Sequence, residues 1–159
     1  YIRLVAHLQP KVFVMENVLQ ITEGQLKYAL IEEFRQAGYE RIYFNVLRSE
    51  NYGSPSERTR VFVSNIYFKD YLERFRVSRK TTVWEAIGDL PKPDFPHDIP
   101  NHSWVDIPKK FKKRWEKLRF GQSALYFGKG KKVFKDYTKL HPEKISPTVK
   151  GSGRFLHPY

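Results

Sequence analysis

Two periods of apolar residues organise the first half of the chain. In residues 1–8, Ile2, Leu4, Val5 and Leu8 predict the end of a helix with one apolar side. Pro10 stops it, since proline lacks an amide hydrogen and its ring clashes with the preceding turn. Residues 11–15 then carry an unbroken apolar run, Val12 to Met15. Such a run predicts a strand buried on both faces. It ends abruptly in Glu16-Asn17-Val18, and in a parallel α/β sheet that position lies just beyond the carboxyl end of a strand, where functional groups gather. Alone, the stretch reads first as a core strand followed by a solvated acid, and it is the next sixty residues that change this. Residues 25–36 place Leu26, Leu30 and Phe34 on one stripe, which predicts an amphipathic helix with Gly38 as its C-terminal cap. Residues 41–47 and 60–66 predict two more strands, separated by the turn cluster Asn51-Tyr52-Gly53-Ser54-Pro55. The strand–helix–strand unit predicts a crossover and a parallel pair. The connection 48–59 is too short for a helix, so the third strand is expected to pair antiparallel with the second.

The second half is less regular. Residues 67–80 are charged and aromatic with no clean period. Residues 82–90 predict a short helix, with Thr82 as its cap and Glu85 three residues on. Pro91, Pro93, Pro96 and Pro100 forbid regular structure after it. Residues 109–119 predict a basic helix with Phe111, Trp115 and Leu118 on one face. The remainder, 120–159, reads as short segments and glycine turns. The fold class is therefore α/β, with domains expected at 1–80 and 81–159.

Composition sharpens this. A hydrophobic fraction of 40% with 16% aromatics supports a real core in 159 residues. No apolar run is long enough to span a bilayer and no signal peptide is visible, so no membrane partner is expected. The chain has no cysteine, which removes disulfides, cysteine-ligated zinc and a cysteine nucleophile from these residues. His97, His102, His141 and His157 lack the close paired spacing of a metal site, so no metal is expected. The first residue is Tyr1 rather than Met, which fits a processed or partial chain. The net charge of +12 is uneven: residues 1–65 hold 8 Lys/Arg against 7 Asp/Glu, and residues 66–159 hold 21 against 10. That asymmetry points to a polyanion, with nucleic acid ahead of a merely soluble surface.

The order of the motifs is more specific. Pro10-x-x-Phe13-Val14-x-Glu16-Asn17-Val18 resembles the sixth conserved motif of the DNA cytosine-5 methyltransferases. Asn51-Tyr52-Gly53-Ser54-Pro55-Ser56-Glu57-Arg58-Thr59-Arg60-Val61-Phe62-Val63 resembles their seventh and eighth. Thr82-Val83-x-Glu85-Ala86-Ile87-x-Asp89-Leu90-Pro91 is similar to the family's next segment. Ser146-Pro147-Thr148-Val149, with Gly151 to His157-Pro158, resembles the approach to the ninth motif. The segments keep the family's order and spacing over most of the chain. One departure is Ser56, where the family usually has Gln.

The resemblance implies a partial Rossmann-like methyltransferase sheet followed by a small, irregular, basic target recognition domain. It implies methyl transfer from S-adenosylmethionine to C5 of a flipped-out cytosine after a cysteine thiolate attacks C6. Glu16 matches the acid at N3, which stabilises the charge that the attack puts into the ring. In that role it needs a raised pKa in a closed site, or a shared proton. Asn17 would hold the nucleophile loop, Arg60 would reach the O2 side of the base, and Arg58 would brace the loops. In the basic segment, Lys109, Lys112, Lys113, Arg119, Gln122, Ser123, Lys129, Lys131 and Lys132 are candidate DNA contacts, and Thr148 a phosphate contact beside the flipped base. The cysteine nucleophile and the Gly-rich turn for the methyl donor precede this region in the family. The chain is thus expected to be the C-terminal portion of such an enzyme, or one subunit of a split one. It would be inactive alone, partnered by double-stranded DNA and an N-terminal catalytic half, in a prokaryotic cytoplasm beside the nucleoid. A non-catalytic DNA-binding module of the same ancestry and an unrelated RNA-binding basic domain are the alternatives.

Overall fold

The computed structural model describes residues 1–92, 96–102, 109–129, 132–149 and 155–156, with the backbone alone for 110–112, 124–129, 132–136 and 155–156. The chain divides into two compact units, Tyr1–Arg79 and Lys80–Tyr159.

The first unit opens with helix α1 (Ile2–Leu8), closed by Gln9 in the left-handed region ahead of Pro10. Strand β1 (Val14–Asn17) follows, then a 3₁₀ turn, Leu19–Thr22, and helix α2 (Gly24–Gln36). Gly38, at φ 93°, ends α2 as expected. Its amide bonds to the Arg35 carbonyl and the Tyr39 amide to the Phe34 carbonyl, both at 3.0 Å, the paired closure that left-handed glycine permits. Strands β2 (Tyr43–Arg48) and β3 (Thr59–Ser64) form the expected antiparallel pair.

The sheet order is β1-β3-β2, with β1 also antiparallel to β3. The parallel pair expected from the strand–helix–strand unit is therefore not a hydrogen-bonded pair. β1 and β2 do point the same way, but β3 lies between them, because the short return from β2 leaves its second edge for β1 to fill.

One face of this sheet holds the core. Val61 and Val63 of β3 are fully buried with Phe34 of α2, joined by Val5, Phe13 and Ile21. Phe13 stacks on Phe34 at 4.6 Å between ring centroids and meets Tyr39 edge-on at 5.0 Å. The other face is less covered. Phe13 is buried, but Val12 and Val14 are exposed, so 12–15 is not a strand buried on both faces. Alternation along the strand turns Val14 and Glu16 away from the packed helices. Similarly, only Ile2 and Val5 of α1 pack inward while Leu4 and Leu8 are exposed, and Leu26 of α2 is exposed beside half-buried Leu30.

After β3 the chain makes a tight bend fixed by Asn45 of β2, whose side chain is fully buried. Its amide donates to the carbonyls of Phe62 and Ile66, and its oxygen accepts from the amides of Phe68 and Lys69. Helix α3 (Lys69–Glu73) starts there, a helix without a sequence period to announce it.

The second unit begins with helix α4 (Val83–Ile87). Thr82 and Glu85 form the expected reciprocal cap: the Glu85 amide donates to the Thr82 hydroxyl, and the Thr82 amide to the Glu85 carboxylate. Helix α5 (Lys109–Trp115) is shorter than the predicted 109–119. Trp115 and Leu118 are half-buried, and the side chain of Phe111 lies outside the described residues. Beyond it the expected glycine turns give way to regular structure. Strands β4 (Ser123–Lys129) and β5 (Lys132–Lys139) form an antiparallel hairpin with Lys129 opposite Lys132, and β6 (Phe155–Leu156) runs parallel to β5. Gly128 lies within β4, opposite Val133, rather than at the edge of a loop.

Candidate active-site cluster

The less covered face of the first sheet brings an acid and an arginine together. Glu16 pairs across the ladder with Phe62, and Arg60 lies two residues from Phe62 on the same face, a diagonal neighbour. Arg60 Nε donates to Glu16 Oε1 at 2.8 Å. A second guanidinium nitrogen, Nη1, donates to the Thr59 carbonyl at 2.7 Å, so backbone and carboxylate both hold the fork. The Arg60 side chain is 21% exposed and that of Glu16 is 48% exposed. The closed site expected around Glu16 is therefore not formed by the described residues; half of its carboxylate side chain meets solvent.

Glu16 and Arg60 edge a hollow of about 270 Å³, whose other walls are Leu47, Ser49, Tyr52, Arg58 and Phe62. Leu47, Phe62 and Tyr52 give it an apolar lining, and Glu16, Arg58 and Arg60 add a few polar groups, the composition usual for a small-molecule site. Arg58 reaches it from the exposed end of a largely half-buried loop whose backbone is well tied. The Ser49 amide donates to the Arg58 carbonyl at 2.9 Å and the Ser49 hydroxyl to the Ser56 carbonyl at 2.8 Å. The Ser54 hydroxyl also donates to the Ser56 carbonyl. Gly53, at φ 88°, makes the reversal that the turn cluster predicts.

Glu50 was not singled out by the sequence. It is only 4% exposed, and its carboxylate accepts from the Arg58 amide at 3.4 Å, with Arg48 Nε 3.9 Å away. An acid inside a turn cluster reads as solvated; its burial arises only when the loop folds back on β3. Asn17 lies on the opposite face of β1 from Glu16 by strand alternation, half-buried, its side-chain oxygen accepting from the Val18 amide at 2.8 Å. Tyr52 has its phenol pushed above the ordinary value by burial first and by the Glu73 carboxylate second, with Arg76 opposing, so it stays a neutral hydroxyl.

In the second unit the candidate DNA contacts separate. Lys109, Lys113, Arg119 and Gln122 are exposed. The side-chain oxygen of Gln122 accepts from the Arg119 amide at 2.9 Å, which shapes that turn. Ser123 is fully buried, its hydroxyl 2.6 Å from that of Thr138, a correction to its expected place on an exposed loop. Buried and bonded, it has no surface to offer a phosphate. Lys112, Lys129 and Lys132 sit on α5, β4 and β5 with side chains outside the described residues, and Lys131 lies outside them altogether. Thr148 is half-buried beside buried Ser146. Lys139 extends its ammonium over the rings of Trp115 and Phe120, each at 5.4 Å. Among the described residues no three histidines or carboxylates gather as a metal would require. No described helix is long and apolar enough to cross a membrane.

Comparison with known proteins gives a consistent picture. The family model for C-5 cytosine-specific DNA methylase matches residues 1–153. A Methanocaldococcus jannaschii relative named as a type II methyltransferase, M.MjaORF1200P, is 47% identical over all 159 residues, which cover 41% of its length. The type II methyltransferase M.XorII of Xanthomonas oryzae pv. oryzae is 31% identical over 83% of this chain and 30% of its own. The chain thus spans less than half the length of these relatives. A crystal structure of a prophage-encoded E. coli protein described as a DNA modification methyltransferase superposes with a TM-score of 0.69 at 22% identity, covering 99% of this chain and 57% of that one. That likeness is one of fold.

Proposed function

The chain belongs to the C-5 cytosine-specific DNA methylase family, and we propose that it forms the base-activating and DNA-contacting part of an enzyme that methylates C5 of cytosine in duplex DNA. The observation that supports this most is the 2.8 Å contact of Arg60 with Glu16 at a hollow edged by Arg58. These residues occupy the positions that the family resemblance assigns to activation of the base.

A cytosine turned out of the stack pays its unstacking energy in return for contacts along its Watson–Crick edge. Seated against Phe62 and Leu47, it would present N3 to Glu16 and O2 to Arg60. When a thiolate from another part of the enzyme adds to C6, charge accumulates at N3. A proton or a strong hydrogen bond from Glu16 stabilises that charge. Glu16 must then share or leave its contact with Arg60 and lose its water. Closure by the rest of the enzyme over the open sheet face would supply that enclosure. Asn17, on the other face of β1, would brace the segment that carries the thiolate. S-adenosylmethionine supplies the methyl group in this family. Gly24, which opens α2, has nothing within 4 Å of the position of an added Cβ, so it makes no cradle, and no residue of this chain is assigned to holding the donor.

Residues 81–159 would be the target recognition domain, with Lys109, Lys113 and Arg119 on phosphates and Thr148 near the extruded base. Gln122 would reach a phosphate or base edge through its amide nitrogen.

The test is to incubate the complete protein that carries this chain with DNA and S-adenosylmethionine, and to identify the methylated nucleoside by mass spectrometry. 5-Methylcytosine is expected, and none from residues 1–159 alone. A methyl group on an exocyclic amine instead would overturn the proposal. DNA binding without any methylation by the complete protein would leave a non-catalytic module.

A further inference from the structure

A second hollow, of about 340 Å³, adjoins the first and shares Leu47 and Tyr52 with it. Its remaining lining is Val46, Arg48, Asn51, Lys69, Glu73 and Arg76. Three cations thus face one carboxylate, and that carboxylate is already taken: Arg76 Nη1 sits 2.8 Å from Glu73 Oε2 within the turn that follows α3. The other two cations are less engaged. Arg48 Nε is 3.9 Å from Glu50, with the Arg48 side chain 65% exposed. No described residue accepts a bond from the Lys69 ammonium, whose backbone is nonetheless fixed where its amide bonds to Asn45. The Tyr52 hydroxyl and the Asn51 amide nitrogen add donors to those of Arg48 and Lys69, so donors predominate in this hollow.

A cluster of donors, with its acid internally neutralised, suits an acceptor-only anion. Because Leu47 and Tyr52 line both hollows, an anion in the second would lie next to a base seated in the first. We propose that Arg48, Lys69 and Tyr52 form a phosphodiester subsite that holds the backbone of the strand from which the cytosine is extruded. The proposal rests on the DNA-methylating function above. It adds to the basic second unit a backbone clamp within the first, beside the extruded base, where holding the strand would oppose its return to the stack.

The test measures duplex DNA binding by the complete protein, by fluorescence anisotropy, across a range of salt. Each phosphate contact contributes a slope of roughly −0.9 to log Kobs against log salt. Lys69→Ala, whose side chain supports no described contact, should make the slope shallower by about 0.9 and weaken binding several-fold at low salt. Arg48→Lys keeps the charge and the partner of Glu50 but not the fork, so it should keep the slope while losing affinity. Arg35→Ala, on the exposed side of α2, should match the parent protein. Unchanged slope and affinity in Lys69→Ala would overturn the subsite. A parent protein whose binding has no salt dependence would overturn the DNA-binding function itself, which separates the two failures.

Discussion

Asn45 shows how much one side chain can organise. Its amide closes onto two carbonyls and accepts two backbone amides, so one fully buried residue fixes the bend from β3 into α3 and with it Lys69. A buried donor left without a partner costs about 1–3 kcal/mol. Asn45→Ala strands the amides of Phe68 and Lys69, both only half-buried, so a loss of about 2 kcal/mol is expected in urea unfolding. Asn45→Asp keeps the acceptor for those amides and should lose its stability through the two carbonyls instead. Unchanged unfolding of Asn45→Ala would mean that the bend holds itself. Nothing around Asn45 in the sequence announces this: a polar residue within an apolar strand reads as facing solvent. Glu50 was illegible for the same reason. In contrast, Glu16, Arg58 and Arg60 were legible because their motif spacing fixes the residue types, and the β1–β3 register then brings Glu16 and Arg60 to 2.8 Å.

Among the elements, those with strong local chemistry were read correctly. The cap of α4 is stated outright by Thr82 and Glu85, and the end of α2 by Gly38. Because the cap is local and exposed, its energetics are separable. Thr82→Ala should cost about 1 kcal/mol, seen as roughly fivefold faster hydrogen exchange at the Glu85 amide, with Thr82→Ser restoring protection. Equal exchange in Thr82→Ala would show that α4 is held instead by its amides' bonds to the Lys144 and Pro142 carbonyls. The misread elements depend on distant partners. The order β1-β3-β2 is set by which edge of β3 remains free, and no local period encodes that. The apolar run at 12–15 promised burial on both faces, yet only one face is covered by the described residues. The β4–β5 hairpin was hidden by Gly128 and Gly130, which break the strand pattern near its turn, and α3 is too short to show a period.

For the whole molecule, charge and chemistry fall in different units. The first unit, with 12 Lys/Arg against 9 Asp/Glu, carries the acid–arginine hollow, and the second, with 17 against 8, carries most of the net positive charge. Under the proposed function, affinity for DNA should come mainly from phosphate contacts, and the rate of methylation should depend on the Glu16 carboxylate. The direct test is single-turnover methylation by the complete protein beside equilibrium DNA binding, for the parent and for Glu16→Gln. The glutamine keeps the shape and an amide near Arg60 but has no transferable proton. A rate lower by about 10²–10⁴-fold with DNA affinity nearly unchanged is predicted. A normal single-turnover rate in Glu16→Gln would contradict the account, leaving Glu16 an acid at the end of a strand and its contact with Arg60 a surface ion pair.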